Sequence, residues 1–286
     1  MNRRWLLNTL LLIVIAAMTA LAVWRPGLHK PAPKARLTKL DPRTIQHIRI
    51  EQQNRKPIVL GARKQIWYMK SPVHGRAHVF NTARVLRIAM APVDQELPQS
   101  ANENLAQFGL DKPKAVLELD GQRIAFGGNN PVNNDQYVLY HKRVYLIDAR
   151  SYWDVAHPYN EFLDSHLFRP DRKPLAFSLP GLSLKLVKGR WIVHPANKKL
   201  TTDRINNFVD EWRYASAMTV ERYQGQAAQG KIHILFAADR KGGKAQTVTV
   251  DILSRHGELV LYRPDQGLEY HFPQEVGKRL LELKPD

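Results

Sequence analysis

GRWIVHPANKKLTTDRINNFVDEW (Gly189–Trp212) decides how this chain is read. It holds a strand-like run around Trp191, a turn marked by Pro195, and a helical pattern with Ile205, Phe208, Val209 and Trp212 at i, i+3, i+4 and i+7. A similar order stands about 120 residues earlier, in KQIWYMKSPVHGRAHVFNTARVLRIA (Lys64–Ala89). Both stretches run from a basic residue through Trp, an apolar pair, Pro and a polar loop to a cap residue, Arg and an apolar helix. Trp67 corresponds to Trp191, Pro72 to Pro195 and Arg84 to Arg204. The period is far too long for a solenoid, so the pattern predicts two related α+β units. Chance likeness of two α+β segments is the other reading.

Working outward, alternating polar and apolar residues predict short strands at Thr44–Glu51, Pro57–Leu60 and Gln65–Met69. Asn81 or Thr82 is expected to cap a helix reaching Met90. Strands are predicted at Ala115–Leu119, Arg123–Phe126, Gln136–His141 and Arg143–Ile147. A helical connector over 149–165 is broken at His157-Pro158. The second half repeats the order, with strands at Leu175–Leu179, Ser183–Val187 and Arg190–Val193 and a helix capped by Thr202. Four further strands follow (Lys231–Phe236, Thr247–Leu253, Glu258–Tyr262, Glu269–Phe272), and Pro273 opens a closing helix. The fold class expected is therefore α+β, with mainly antiparallel sheets in two related domains, 41–165 and 166–286.

The N-terminus reads differently. WLLNTLLLIVIAAMTALAVW (Trp5–Trp24) is uncharged and bracketed by Trp. At 1.5 Å per residue such a stretch covers about 30 Å, which predicts a transmembrane anchor over 5–24. Ala20-Leu21-Ala22 resembles a small-x-small cleavage site, so a removed signal peptide is the competing reading. Residues 1–4 are then a cytoplasmic tail, and 25–40 a Pro-rich basic linker holding the rest off the membrane. Arg3 and Arg4 favour an N-terminus inside and the bulk of the chain in the periplasm. Arg25, Lys30, Lys34, Arg36 and Lys39 beyond the segment argue the other way by count.

The chain has no cysteine, which excludes disulfides and thiolate metal sites. Its net charge is +17, of which +11 remains after the first 36 residues. That balance suits an anionic polymer or lipid headgroup. The basic residues are not interleaved with aromatics, so no nucleic-acid partner is expected.

Phe108-Gly109-Leu110-Asp111-Lys112-Pro113 carries a more specific signal. A Trp strand, Pro loop and capped helix followed by an aromatic-Gly-Leu-Asp-x-Pro turn resemble the bacterial family called domain of unknown function 4340. Ile124–Gly127, Tyr137-Val138 and Val144–Ile147 also fit it. The second half departs at Glu221-Arg222-Tyr223-Gln224-Gly225, where the Gly-Leu-Asp motif is missing. The resemblance implies a membrane-anchored partner of an ABC-type export system of the gliding-motility kind, with inner-membrane permease and ATPase partners. It brings no catalytic residue. The motif has a plain local account as well, with Gly for a positive φ and Asp and Pro for the turn.

Candidate chemistry elsewhere is weak. His74 and His78 have ligand-like spacing but lie in a Pro/Gly loop. His141, His157, His166, His194, His233, His256 and His271 are dispersed. Gly127-Gly128-Asn129-Asn130 suits a turn better than a phosphate cradle. Glu161 and Asp164 are three apart and better suited to a solvated face or an Arg partner than to acid–base work. Trp67 and Trp191 read as core anchors before sugar platforms. No hydrolase elbow or P-loop is present. The expectation is a non-enzymatic protein without catalytic, cofactor or metal residues. It would be an accessory subunit of an envelope ABC transporter. The alternatives are an anionic-polymer binding module and an uncharacterised hydrolase.

Overall fold

The computed structural model describes residues 3–24, 34–238, 242–255 and 257–285. Most of the linker expected at 25–40 and His256 lie outside the described residues. Residues 1–35 form one unit and Arg36–Asp286 another.

The first unit contains α1 (Arg3–Trp24), whose Leu6, Leu7, Leu10 and Ile13 are exposed. The transmembrane expectation for 5–24 is corrected here. No helix among the described residues is long and apolar enough to cross a membrane.

The second unit opens with β1 (His47–Gln52), β2 (Ile58–Arg63), β3 (Ile66–Ser71) and β4 (Gly75–Arg76). Then come α2 (Val79–Arg87), a 3-10 turn at Ile88–Met90 and β5 (Val93–Glu96). Two further 3-10 turns (Gln99–Glu103, Leu105–Phe108) lead into β6 (Ala115–Leu119), β7 (Gln122–Asn129), β8 (Gln136–Tyr140) and β9 (Arg143–Ile147). After α3 (Arg150–Ala156) and a 3-10 turn at Tyr159–Phe162, the pattern restarts. It runs through β10 (Pro174–Leu179), β11 (Leu182–Val187), β12 (Arg190–His194), α4 (Thr202–Arg213), β13 (Thr219–Arg222) and β14 (Gly230–Phe236). It closes with β15 (Gln246–Ser254), β16 (Leu259–Arg263), β17 (Leu268–Phe272) and α5 (Gln274–Leu281).

The first sheet has the order β4-β3-β2-β1-β6-β7-β8-β9-β5 and the second β12-β11-β10-β14-β15-β16-β17-β13. Without the two-residue β4, the orders correspond strand for strand. All pairings among these strands are antiparallel. Trp67 of β3 and Trp191 of β12 thus occupy equivalent strands, and Pro72 and Pro195 both follow a cis bond.

Alternation sets the register. In β1, Ile48 and Ile50 are fully buried, and Ile48 faces Leu60 on β2 and Leu119 on β6. A slip of one residue would turn both isoleucines to solvent. The helices cover the sheets with their apolar stripes. α4 buries Phe208, Val209 and Trp212, and the Phe208 and Trp212 rings lie 6.4 and 6.1 Å from Phe177 on β10. Each such side chain contributes about 1.5–3 kcal/mol on burial. The buried residues of both sheets form one contiguous cluster, to which half-buried Trp67 and Trp191 add.

Two caps differ from expectation. His78, not Asn81 or Thr82, caps α2, its Nδ1 accepting from Asn81 N–H at 3.3 Å. The Asn81 side chain donates instead to the Glu161 carbonyl at 2.6 Å, and Thr82 is buried. In α4 the cap is Thr201, one residue before Thr202. Leu37 and Thr38, within the expected linker, are buried and bonded to the carbonyls of Ala91 and Ala89.

Candidate functional site

The two sheets meet along a seam built from β4, the 3-10 turn at Tyr159–Phe162, residues 163–169, β13 and β17. Gly75 of β4 enters a tight gap. A Cβ there would stand 3.0 Å from both Leu163 and Leu268. Next to it, the Arg76 carbonyl accepts from Asp164 N–H at 2.8 Å, and Arg76 Nε lies 3.4 Å from Asp164 Oδ2. Asp164 also meets His166 Nδ1 at 2.7 Å. Across the seam, Arg222 of β13 donates to the Pro72 carbonyl, and its N–H donates to the Tyr159 hydroxyl at 3.3 Å.

A cleft of about 180 Å³ opens here, with Arg76, Arg169, Arg172 and Arg263 on its wall beside Asp164 and His166. Arg263 ends β16, with a side chain only 6% exposed. It grips Asp265 through Nε at 2.8 Å and Nη2 at 2.7 Å, donates Nη1 to the Leu167 carbonyl, and lies 5.0 Å over the Phe168 ring. Burial pushes the Asp265 carboxyl up, but the hydrogen bonds and charge of Arg263 win and hold it below its ordinary value, aided by Arg172. Arg172 stacks 4.1 Å over Phe236 and donates to Gln246 Oε1 at 2.9 Å. Burial raises the Tyr270 hydroxyl well above its ordinary value, so it stays a neutral donor, here to Gln266 at 2.6 Å. What this wall offers is charge-assisted hydrogen bonding to anionic oxygen. A second cleft, about 470 Å³, runs along the same seam past Arg55, Lys56, Tyr159 and Arg222.

The residues weighed from sequence fall as follows. Asp164 takes Arg76 as partner, whereas Glu161 is exposed. His78 is a helix cap and His74 is exposed. Gly127 lies against the Gly-Leu motif, where a Cβ would come 2.2 Å from the Phe108 carbonyl. The carbonyls of Gly127 and Gly128 accept from Gln136 Nε2 at 3.0 and 2.9 Å, so this loop is a packed turn. Arg84 pairs with Asp154 and Arg204 with the Lys284 carbonyl, so the equivalent arginines make different contacts.

Sequence reading missed two things. The arginine wall comes from residues 76, 169, 172 and 263, which only the fold gathers. Among the described residues, Glu221, Glu269 and His271 also bring ligand-type atoms within 4.8 Å of one another. The signal for the latter was Glu269-Tyr270-His271 in a strand, since alternation puts the first and third side chains on one face.

No curated protein and no solved structure matches this chain. The family model described as domain of unknown function (DUF4340) matches residues 67–211, about half the sequence, from Trp67 in β3 into α4, and the chain belongs to that family.

Proposed function

We propose that this protein is a non-catalytic interaction protein of the bacterial cell envelope. In this reading the bulk of the chain lies in the periplasm at the inner membrane, as an accessory partner of the permease and ATPase of an ABC-type transporter. The observation that carries it is the open edge of the second sheet. β12 ends that sheet, so one side of its backbone has no neighbouring strand among the described residues. Its Ile192 is 45% exposed, and Val187 on the adjoining β11 is 37% exposed. An extended partner segment can add to such an edge, with backbone bonds giving affinity and side-chain contacts giving choice. The ABC association itself is supported by family resemblance alone.

The test is co-purification of the C-terminally tagged full chain from native membranes in mild detergent. A permease and an ATPase in stable ratio, lost with Ile192→Lys, support this reading. Their absence, or indifference to Ile192→Lys, overturns the edge-docking reading. The arginine-lined cleft favours a second reading, a module for an anionic polymer or lipid headgroup. That predicts a retained glycan or lipid released at high salt.

A further inference from the structure

On the face of the second sheet opposite α4 and α5, β13 and β17 place three ligand-type side chains together. Glu221 and Glu269 are direct cross-strand partners, and His271, two residues further along β17, opposes Thr219. Like charges directly opposite each other destabilise a strand pair. The cost is greater here because Glu269 is 2% exposed, and its Oε2 is buried with no hydrogen-bond partner among the described residues. Tyr262 flanks Glu269 on β16 and stacks on Tyr223 at 3.9 Å, covering that side. A buried carboxylate beside a second carboxylate, with one oxygen unmet, has the His271 imidazole at 3.4 Å as its nearby counter-charge and room in its hydrogen bonding for another.

His271 is oriented from behind. Its Nδ1 lies 3.0 Å from Glu258 Oε1, which leaves Nε2 facing Glu269 Oε1 at 3.4 Å. With Nδ1–H donated to a carboxylate, the Nε2 lone pair points at the two glutamates. That carboxylate–imidazole arrangement orients a metal-ligating histidine. The 3.4 Å separation is long for a hydrogen bond, yet two donors each about 2.0–2.2 Å from one tetrahedral ion stand roughly that far apart.

We propose that Glu221, Glu269 and His271 bind one divalent first-row transition ion, with Glu258 holding the His271 ring in place. One imidazole with two carboxylates suits zinc or manganese and leaves a coordination position open to water or a partner's donor. The proposal is independent of the docking reading above.

The test uses untagged, metal-stripped full chain titrated calorimetrically with Zn²⁺, then with Mn²⁺. One ion per chain is expected, with a dissociation constant of about 10 μM or tighter for Zn²⁺. Glu269→Gln and His271→Ala should each weaken binding at least 100-fold. Glu258→Gln, acting through the ring, should weaken it about 10–100-fold. A cobalt-loaded sample should lose its visible ligand-field absorption with His271→Ala. Circular dichroism of the metal-free variants checks folding, and Glu221→Gln on the outermost strand replaces Glu269→Gln should that variant not fold. Zn²⁺ and Mn²⁺ binding weaker than about 100 μM in the wild type overturns the site. So does tight binding that survives His271→Ala within tenfold, which would place the ion on other histidines.

Discussion

Trp212 donates its indole N–H to the Leu280 carbonyl at 2.8 Å, and both residues are 1% exposed. Leu280 lies in the last turn of α5, where helix carbonyls have no partner of their own. The bond thus ties the closing helix to α4 and satisfies a buried acceptor. Trp212→Phe keeps much of the ring volume but leaves that carbonyl unmet, so a loss of about 1–3 kcal/mol is expected. Trp212→Ala adds a cavity beside Phe177 and should cost about 3–5 kcal/mol. Urea unfolding of the two variants measures both. Equal losses would show that packing alone accounts for the contact.

The family motif makes a second prediction, about three neighbouring glycines. Gly109 sits at φ +65° as the left-handed cap of the 3-10 turn Leu105–Phe108, with the Gly128 backbone 3.1 Å from where a Cβ would stand. Gly109→Ala should cost about 1–2 kcal/mol through its backbone conformation. At Gly127 the obstacle is the Phe108 carbonyl, which cannot swing aside as a side-chain tip would, so Gly127→Ala should cost about 2 kcal/mol or more. Gly128 meets only ordinary contacts, at 3.5 Å, and Gly128→Ala should be near neutral. Thermal melts of the three variants give the order. A Gly128→Ala loss as large as that of Gly127→Ala would refute the packing account.

How much of this was legible in the sequence depends on where each signal lies. β6 to β9 were readable because they hold short apolar runs, such as Ala115–Leu117 and Ile124–Phe126, bounded by turn residues. β5 and β13 were not. Val93–Glu96 has one half-buried and three exposed residues, so it carries no period. It becomes a strand only by pairing with β9, and Thr219–Arg222 by pairing with β17. Those same β13 pairings bring Glu221 to Glu269, so missing the strand meant missing the cluster. Asn81 was a reasonable cap by type, but its side chain is taken by Glu161, a contact set by a loop 80 residues away. The Trp5–Trp24 stretch shows the opposite failure, where apolar composition predicted a span that the described helix does not meet.

The Arg263–Asp265 pair sets a pH dependence. The Asp265 carboxyl titrates below its ordinary value in the folded protein because Arg263 holds it. A depressed folded value means that the stabilisation is complete above the unfolded carboxylate range, about pH 4, and is lost as pH falls through the folded value. The Asp265 side chain is 54% exposed, so solvent screens the pair and its worth is held to about 1 kcal/mol. Asp265→Asn should therefore lower stability by about that amount at pH 7 and by almost nothing at the acid end of the range. Denaturant unfolding of both proteins across that range checks it. A difference that stays constant with pH would mean that the carboxylate charge is irrelevant.

The arginine wall also predicts behaviour in salt. Arg172 sits 4.1 Å over the Phe236 ring, and Arg263 is fixed by Asp265 and Leu167, so the guanidinium groups are placed before any ligand arrives. Pre-placed forks lose little side-chain freedom on binding, which favours a bidentate anion such as pyrophosphate. Binding of inorganic pyrophosphate should weaken steadily as sodium chloride rises from low to physiological concentration, because partly exposed charges are screened over about 8–10 Å. Arg169→Gln combined with Arg172→Gln should reduce the affinity at least tenfold. Arg49→Gln, on β1 and paired with Glu51 at 2.9 Å, should leave it unchanged. Calorimetry at two salt concentrations reads both effects. Equal losses from the cleft and β1 variants would assign the binding to general surface charge, since the chain carries +17 overall, and would remove the cleft from consideration as an anion site.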